Sequence, residues 1–180
     1  TNPKDDLPSS GFPSVIGTIK GGEGPTLLLN AHIDTVPAGD LSQWCCDPFA
    51  AEIMDGNVYG RGSGDDKGSV CAQIMAATII KRAGIPLKGT LQGNPVADEE
   101  ANSWRGAKWL RDAEILKPDM VIVGEQTNNV VAVAERAVLF VKIHIKGKAS
   151  HGAMPWKGNN ATIHMCRFVN LVNEELLPEV

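Results

Sequence analysis

The sequence lacks most of what would place it outside the ordinary globular class. No apolar run approaches the roughly 20 residues that a membrane-spanning helix needs, so no membrane partner is expected. The opening TNPKDDLPSS carries no signal-peptide pattern. The formal net charge of -4 is too mild, and of the wrong sign, for non-specific nucleic-acid binding. There is no internal repeat and no low-complexity tract. Cysteine is sparse: Cys45, Cys46, Cys71 and Cys166. Two are adjacent and none forms a CxxC pair, so neither a disulfide framework nor a thiolate zinc site is expected from the spacing. Each is read as a free thiol and a small buried hydrophobe, in a reducing, cytoplasmic compartment.

What is present fits a globular chain. A hydrophobic fraction of 43% and a charged fraction of 21% give enough apolar material for a core. The length of 180 residues suits one domain, or one domain and part of another. Residues 1–13 read as a loop rich in Pro, Ser and Asp. SVIGTIK alternates and reads as a strand. TLLLNAH and DMVIVG are short apolar runs, which read as buried strands. Asp55-Gly56, between two short β-like pieces, is a hairpin signal. A helix of about fifteen residues is expected from Ser69, ended by Gly84 and Pro86. GTLQGNPVADEE should be a strand by position, although Gly93 and Pro95 weaken it. Ser103 is a suitable cap for a helix carrying Trp104, Ala107, Trp109 and Leu110. Strands alternating with helices predict an α/β sheet covered on both faces. From Arg136 the pattern changes. LFVKIHIK alternates as a half-exposed strand, a loop GKASHGAMPWKGNN follows, and a helix is expected from Ala161 to Leu177. This predicts one domain over 1–135 and the incomplete start of a second over 136–180.

The polar clusters fall at informative places on that map. His32 and Asp34 follow a buried strand. Asp65 and Asp66 lie in the glycine-rich turn GSGDDKG before a helix. Asp98, Glu99 and Glu100 follow a strand, and Glu125 follows another. Ligands of open α/β sheets bind outside the carboxyl ends of the strands, so these clusters can converge. One imidazole and several carboxylates make a mixed N/O site suited to Zn²⁺, Mn²⁺ or Co²⁺. A carboxylate shared by two cations would make a two-metal hydrolytic centre. Two adjacent glutamates can then divide the work, one binding metal and one acting as a base towards water. Each piece alone has a plainer account: a hydrogen-bonded core histidine, a structural glycine turn, a solvated acidic helix start. The conjunction in this order carries the weight.

The motifs LLLNAHIDTVPAGD, QWCCDPFAAEIMDGNVYGRGSGDDKG, VADEE, VGEQT and GKASHGAMPWKGNNA resemble the M20 metallopeptidase family of deacetylases, desuccinylases and carboxypeptidases. The resemblance runs from about residue 14 to 165. It implies a zinc-peptidase-like catalytic domain, with a mixed sheet flanked by helices, and an α+β lid or dimerisation domain. It also implies roles. His32 would bind the first metal, Asp34 would orient it, and Asp65 would bridge both metals. Glu99 would be the general base, Glu100 a ligand of the second metal, and Glu125 would complete the first. His151 resembles the lid histidine that polarises the scissile carbonyl, often across a homodimer. Two Zn²⁺ per full-length chain are implied, with Co²⁺ or Mn²⁺ as substitutes.

The implied activity is hydrolysis of the amide bond of small N-acyl amino acids. Carboxypeptidase or dipeptidase action on short peptides is the alternative, and a non-catalytic binding relative a third. The sequence departs from the family pattern as well. The family's remaining histidine ligand has no match, the usual N-terminal helix is missing, and the lid is only begun. An internal piece of a protein of about twice the length, inactive by itself, is therefore the expectation. Asp66 and Gln126 replace the commoner Met and Pro, Ala137 replaces a common Gly, and Gly93-Asn94-Pro95 is unusual before a catalytic loop. His144 and His164 match no family position.

Overall fold

The computed structural model describes residues 12–136 and 140–176. The expected N-terminal loop up to residue 11, Ala137, Leu139 and the helix end at Leu177-Pro178 lie outside the described residues. The chain divides into two compact units, one through Ala132 and one from Val133.

The first unit is built on strands β1 (Gly17–Ile19), β2 (Thr26–His32), β3 (Glu52–Met54), β4 (Asn57–Tyr59), β5 (Thr90–Val96) and β6 (Met120–Val123), with helices α1 (Lys67–Arg82) and α2 (Ala107–Asp112). Four strands form a mixed sheet in the order β1-β5-β2-β6. β1 runs antiparallel to β5, while β5, β2 and β6 are mutually parallel. α1 packs on β2 and β5. Alternation along the strands places Leu28 and Val96 on one face, where they form the core with Leu110 and Leu116. Leu29, Ala31 and Leu91 are buried on the opposite face. β3 and β4 form the hairpin expected at Asp55-Gly56. Both turn residues have positive φ, 51° and 77°, as a two-residue turn with right-handed strand twist requires.

The awkward Gly93-Asn94-Pro95 stretch is a strand, and an interior one. Pro95 has no N–H, and its carbonyl accepts from Val15 N–H at 2.9 Å, so its missing donor faces the β1 side. The buried Asn94 supplies the replacement. Its side-chain amide donates to the Val15 carbonyl at 2.8 Å, and its Oδ1 accepts from Asn30 Nδ2 at 3.0 Å. The ladder loses one donor and recovers it from the neighbouring side chain.

Four expectations need correction. The DMVIVG strand is not buried: all four β6 residues are half-exposed or more, because among the described residues β6 is an edge strand paired with β2 alone. Ser103 does not cap α2. The helix starts later, with Gly106 as its first cap, and Ser103 is instead drawn towards Asp98, whose carbonyl accepts its N–H at 2.6 Å. Gly106 is demanded by close approach, since a Cβ there would stand 1.8 Å from the Ala97 carbonyl oxygen. The cysteines are not core residues: Cys45, Cys71 and Cys166 are exposed and Cys46 is half-buried. Residues 140–146 pair with no strand among the described residues, so their alternation builds no sheet here.

The second unit is held by different means. Lys148 and Asn159 exchange backbone hydrogen bonds of 2.9 and 2.8 Å, closing the loop that contains His151. Helix α3 (Ala161–Leu171) follows, and its first turn is capped by Asn160 Oδ1, which accepts from Thr162 N–H at 2.9 Å. A π-type turn continues it over Val172–Leu176.

Candidate metal centre

Three parallel strands deliver their carboxyl ends to one edge of the sheet. His32 ends β2, opposite Val96 at the end of β5, and Val123 at the end of β6 lies opposite Asn30. The loops that leave these ends carry Asp34, Asp98-Glu99-Glu100 and Glu125. The turn before α1 adds Asp65 and Asp66. Gly124 sits where β6 meets the first turn of α1; a Cβ there would approach Ser69 Cβ to 2.6 Å.

His32 is almost wholly buried, at 2% exposure. Its Nδ1 lies 2.9 Å from the Asp34 carbonyl oxygen and 3.6 Å from the Asp34 carboxylate. A carbonyl only accepts, so Nδ1 carries hydrogen and Nε2 is the nitrogen aimed at the carboxylates. Nε2 is 2.9 Å from Asp65 Oδ1 and 3.9 Å from Glu99 Oε2. Burial by itself would lower the His32 pKa. The Asp34 carbonyl and the Asp65, Glu99 and Asp66 carboxylates outweigh it and raise the imidazole above its ordinary value of 6.5. The carboxylates that could share a cation thus also favour a proton on His32.

Asp34 has a second job that its spacing does not announce. Its two carboxylate oxygens accept the backbone N–H groups of Glu99 and Glu100, each at 3.2 Å. The turn bearing both glutamates is therefore clamped to the end of β2. Val36 N–H donates to Glu100 Oε1 at 3.3 Å. On the other side, the buried Asp98 has φ of 68° and accepts Arg105 N–H at 2.8 Å, which shapes the turn from beneath. Burial pushes the Glu99 carboxyl up, and the Glu100, Asp34 and Asp65 carboxylates add to the shift although His32 opposes it. Burial, then the Asp66 carboxylate, raises Glu125 in the same way.

Two sets of donor atoms are close enough to share an ion. His32, Asp65 and Glu100 have ligand atoms within 4.8 Å of one another, and so do His32, Asp66 and Glu125. The first set brings together three residues named from sequence. The second takes Asp66 in place of Asp65; the sequence places Asp66 in the converging turn but gives it no ligand role. Asp66 is fully buried; its Oδ2 accepts His32 N–H at 3.1 Å and its Oδ1 has no hydrogen-bond partner among the described residues. The only available signal was the repeat of Asp at 65 and 66. His151 belongs to the second unit, where it is exposed and its Nδ1 accepts Ala153 N–H at 3.2 Å.

The donor chemistry fits a divalent cation. One imidazole among Asp65, Asp66, Glu99, Glu100 and Glu125 leaves excess negative charge, and two of these carboxyls are held above their usual range by that surplus and by burial. An orphaned buried oxygen on Asp66 is a further unmet valence. Oxygen donors with one nitrogen suit a borderline or hard cation rather than a soft one.

Comparisons with known proteins agree with this chemistry. The model of peptidase family M20/M25/M40 matches residues 28–174. An uncharacterized metallohydrolase of Methanocaldococcus jannaschii is 36% identical over 165 residues, which is 88% of this chain and 40% of that protein. A succinyl-diaminopimelate desuccinylase of Rhodospirillum centenum is 34% identical over 161 residues, 84% of this chain and 42% of the relative. The chain therefore spans about two fifths of the length of these curated relatives. Among solved structures, an M20 family metallo-carboxypeptidase of Sulfolobus solfataricus superimposes with a TM-score of 0.55 at 28% identity, over 62% of this chain and 25% of that one.

Proposed function

This chain belongs to peptidase family M20/M25/M40, and from that membership we propose that the protein hydrolyses the amide bond of small N-acyl amino acids with Glu99 as its general base. The observation that carries the reading is the convergence of His32, Asp65 and Glu100 within 4.8 Å, with Glu99 beside His32. In this proposal His32, Asp65, Glu100 and Glu125 hold divalent cations of the zinc class, two in the complete protein. Bound cations of this kind supply Lewis acidity and make water acidic enough to be used at neutral pH.

The chain's own groups do the rest. Glu99 accepts the proton of the attacking water and returns it to the leaving amine. Its raised pKa brings it nearer the operating pH, where a carboxyl both takes and gives a proton well. Asp34 holds the backbone of Glu99 and Glu100 and keeps the Nε2 lone pair of His32 directed inward. His151, from the second unit, is assigned to polarising the substrate carbonyl. The unit from Val133 is assigned to the start of a lid that pairs in a homodimer, and the compartment to the cytoplasm.

Likeness to a desuccinylase over 84% of the chain favours an N-acyl amino acid. Likeness to a metallo-carboxypeptidase at 28% identity keeps short peptides as the second substrate class. The test is Glu99→Gln in the complete, metal-loaded protein, assayed on N-succinyl and N-acetyl amino acids and on dipeptides. A loss of about 10²–10⁴-fold in kcat with metal content unchanged is expected. Undiminished turnover would remove Glu99 from the reaction, and turnover confined to dipeptides would move the substrate to the second class.

A further inference from the structure

The adjacent thiols of Cys45 and Cys46 lie outside both donor sets of the carboxylate centre. They are free, and their sulfurs stand 3.9 Å apart. Two chemistries are open to such a pair. A disulfide between neighbours is poorly placed, because consecutive α-carbons sit about 3.8 Å apart across a trans peptide while disulfides usually span about 4.4–6.8 Å. Ligation is well placed. A tetrahedral cation with metal–sulfur bonds of about 2.3 Å holds two thiolates about 3.8 Å apart. The observed spacing meets this without backbone movement.

The loop that presents the sulfurs is organised before any ion arrives. Trp44 Nε1 donates to the Ala38 carbonyl at 3.0 Å, and the Arg61 guanidinium stacks 5.1 Å from the Trp44 ring centroid. Beyond the pair, Asp47 Oδ1 accepts Phe49 N–H at 2.9 Å, and the Pro48 carbonyl accepts Arg61 N–H at 2.8 Å. Cys45 is exposed and Cys46 half-exposed, so an ion can reach both. Partial desolvation, then the Cys45 thiol and the Glu52 and Asp47 carboxylates, hold the Cys46 thiol above its usual range. The Glu52 and Asp47 carboxylates also draw a cation to the pair, and that cation displaces the thiol protons which the shift favours.

We propose that Cys45 and Cys46 form a two-thiolate chelate for a soft or borderline divalent cation of the zinc–cadmium class, separate from the carboxylate centre. Binding exchanges two thiol protons, released to solvent, for two metal–sulfur bonds, and water completes the coordination. Soft thiolates prefer cations that the oxygen-rich centre does not select, so the two sites differ in kind. This inference does not depend on the proposed hydrolysis.

The experiment is a cadmium titration of the complete, reduced protein, read by the ultraviolet charge-transfer absorption of cadmium–thiolate bonds, to which carboxylate and imidazole ligands contribute nothing. One equivalent should saturate the band. Cys45→Ser and Cys46→Ser should each weaken it by about 100-fold or more in affinity, the loss expected when a chelate becomes a single contact. Cys71→Ser and Cys166→Ser should leave it unchanged. A second measurement needs no variant: bound cadmium should shield Cys45 and Cys46 from iodoacetamide, mapped by peptide mass, while Cys71 and Cys166 stay reactive. Absence of the band in the wild type, unchanged affinity in either single variant, or equal alkylation of Cys45 and Cys46 with and without cadmium overturns the site.

Discussion

β2 and β6 begin as the same kind of sequence, a short apolar run ending at a polar residue, yet they have opposite fates. β2 is flanked by β5 and β6 and covered on both faces, so its final residue, His32, is buried. Among the described residues β6 pairs only with β2, and its Ile122 and Val123 are 53% and 59% exposed. The centre inherits this difference. The donors at the β2 end, His32 with the buried Asp66, are fixed by several hydrogen bonds. Glu125, at the β6 end, is exposed; it follows Gly124, whose N–H donates to the Asn30 carbonyl at 2.7 Å, and its own carbonyl accepts Thr127 N–H at 2.9 Å. A metal centre can thus have a rigid side and an adaptable side, set by strand order.

The largest effect that would sharpen this contrast is expected at Leu28, buried on β2 in the core with Val96 and Leu110. Leu28→Ala should destabilise the fold by about 2–5 kcal/mol in denaturant unfolding. The counterpart Ile122→Ala on β6 should cost no more than about 1 kcal/mol, since its side chain is already half in water. Equal losses at the two positions would break the comparison.

Smaller in effect, but closer to the chemistry, is the clamp. Asp34→Ala removes both acceptors that hold the Glu99–Glu100 turn, and should weaken divalent-metal binding by about 10–100-fold in calorimetric titration. Glu125→Gln, on the adaptable side, should weaken it less. A reversed order would place the rigid side at β6.

The smallest effect is the pH dependence of the metal-free protein. The folded His32 pKa is raised above 6.5, so its protonation stabilises the fold below that pH and the contribution is lost as pH rises through the raised value. Glu99 and Glu125 are raised too, so their contributions have the same sign and begin to fade from their ordinary range upward. In chelator, Tm should therefore fall as pH climbs above about 6.5, and His32→Gln should flatten that decline. A wild-type profile that is flat there would mean that His32 is not the proton holder of the empty carboxylate cluster.

Much of this was readable beforehand, for identifiable reasons. Asp55-Gly56 announces its turn because few residues accept positive φ at both positions. His32, Asp65, Glu99, Glu100 and Glu125 were legible as an ordered set of polar residues after strands and turns. The inward turn of Asp66 and the clamp by Asp34 were not, because both depend on which way a carboxylate points once three loops meet. Asn94 could not be recognised as the donor that replaces Pro95's missing N–H until β1 was known to lie beside β5. The exposure of Cys45 and Cys46 contradicts the average habit of cysteine, and no spacing rule brings two adjacent sulfurs into chelating distance.

Local patterning, then, determined by itself most of the strands and helices of the first unit and which side chains can carry metal chemistry. These follow from periodicity, turn stereochemistry and residue type, all of which act over a few neighbours. Strand order, burial and the direction of each carboxylate were decided only by tertiary structure. They depend on pairings between segments tens of residues apart: β2 with β5 and β6, Asp34 with Glu99 and Glu100, Asn94 with Val15. No local propensity encodes such a pairing, because its energy exists only after the chain has closed on itself.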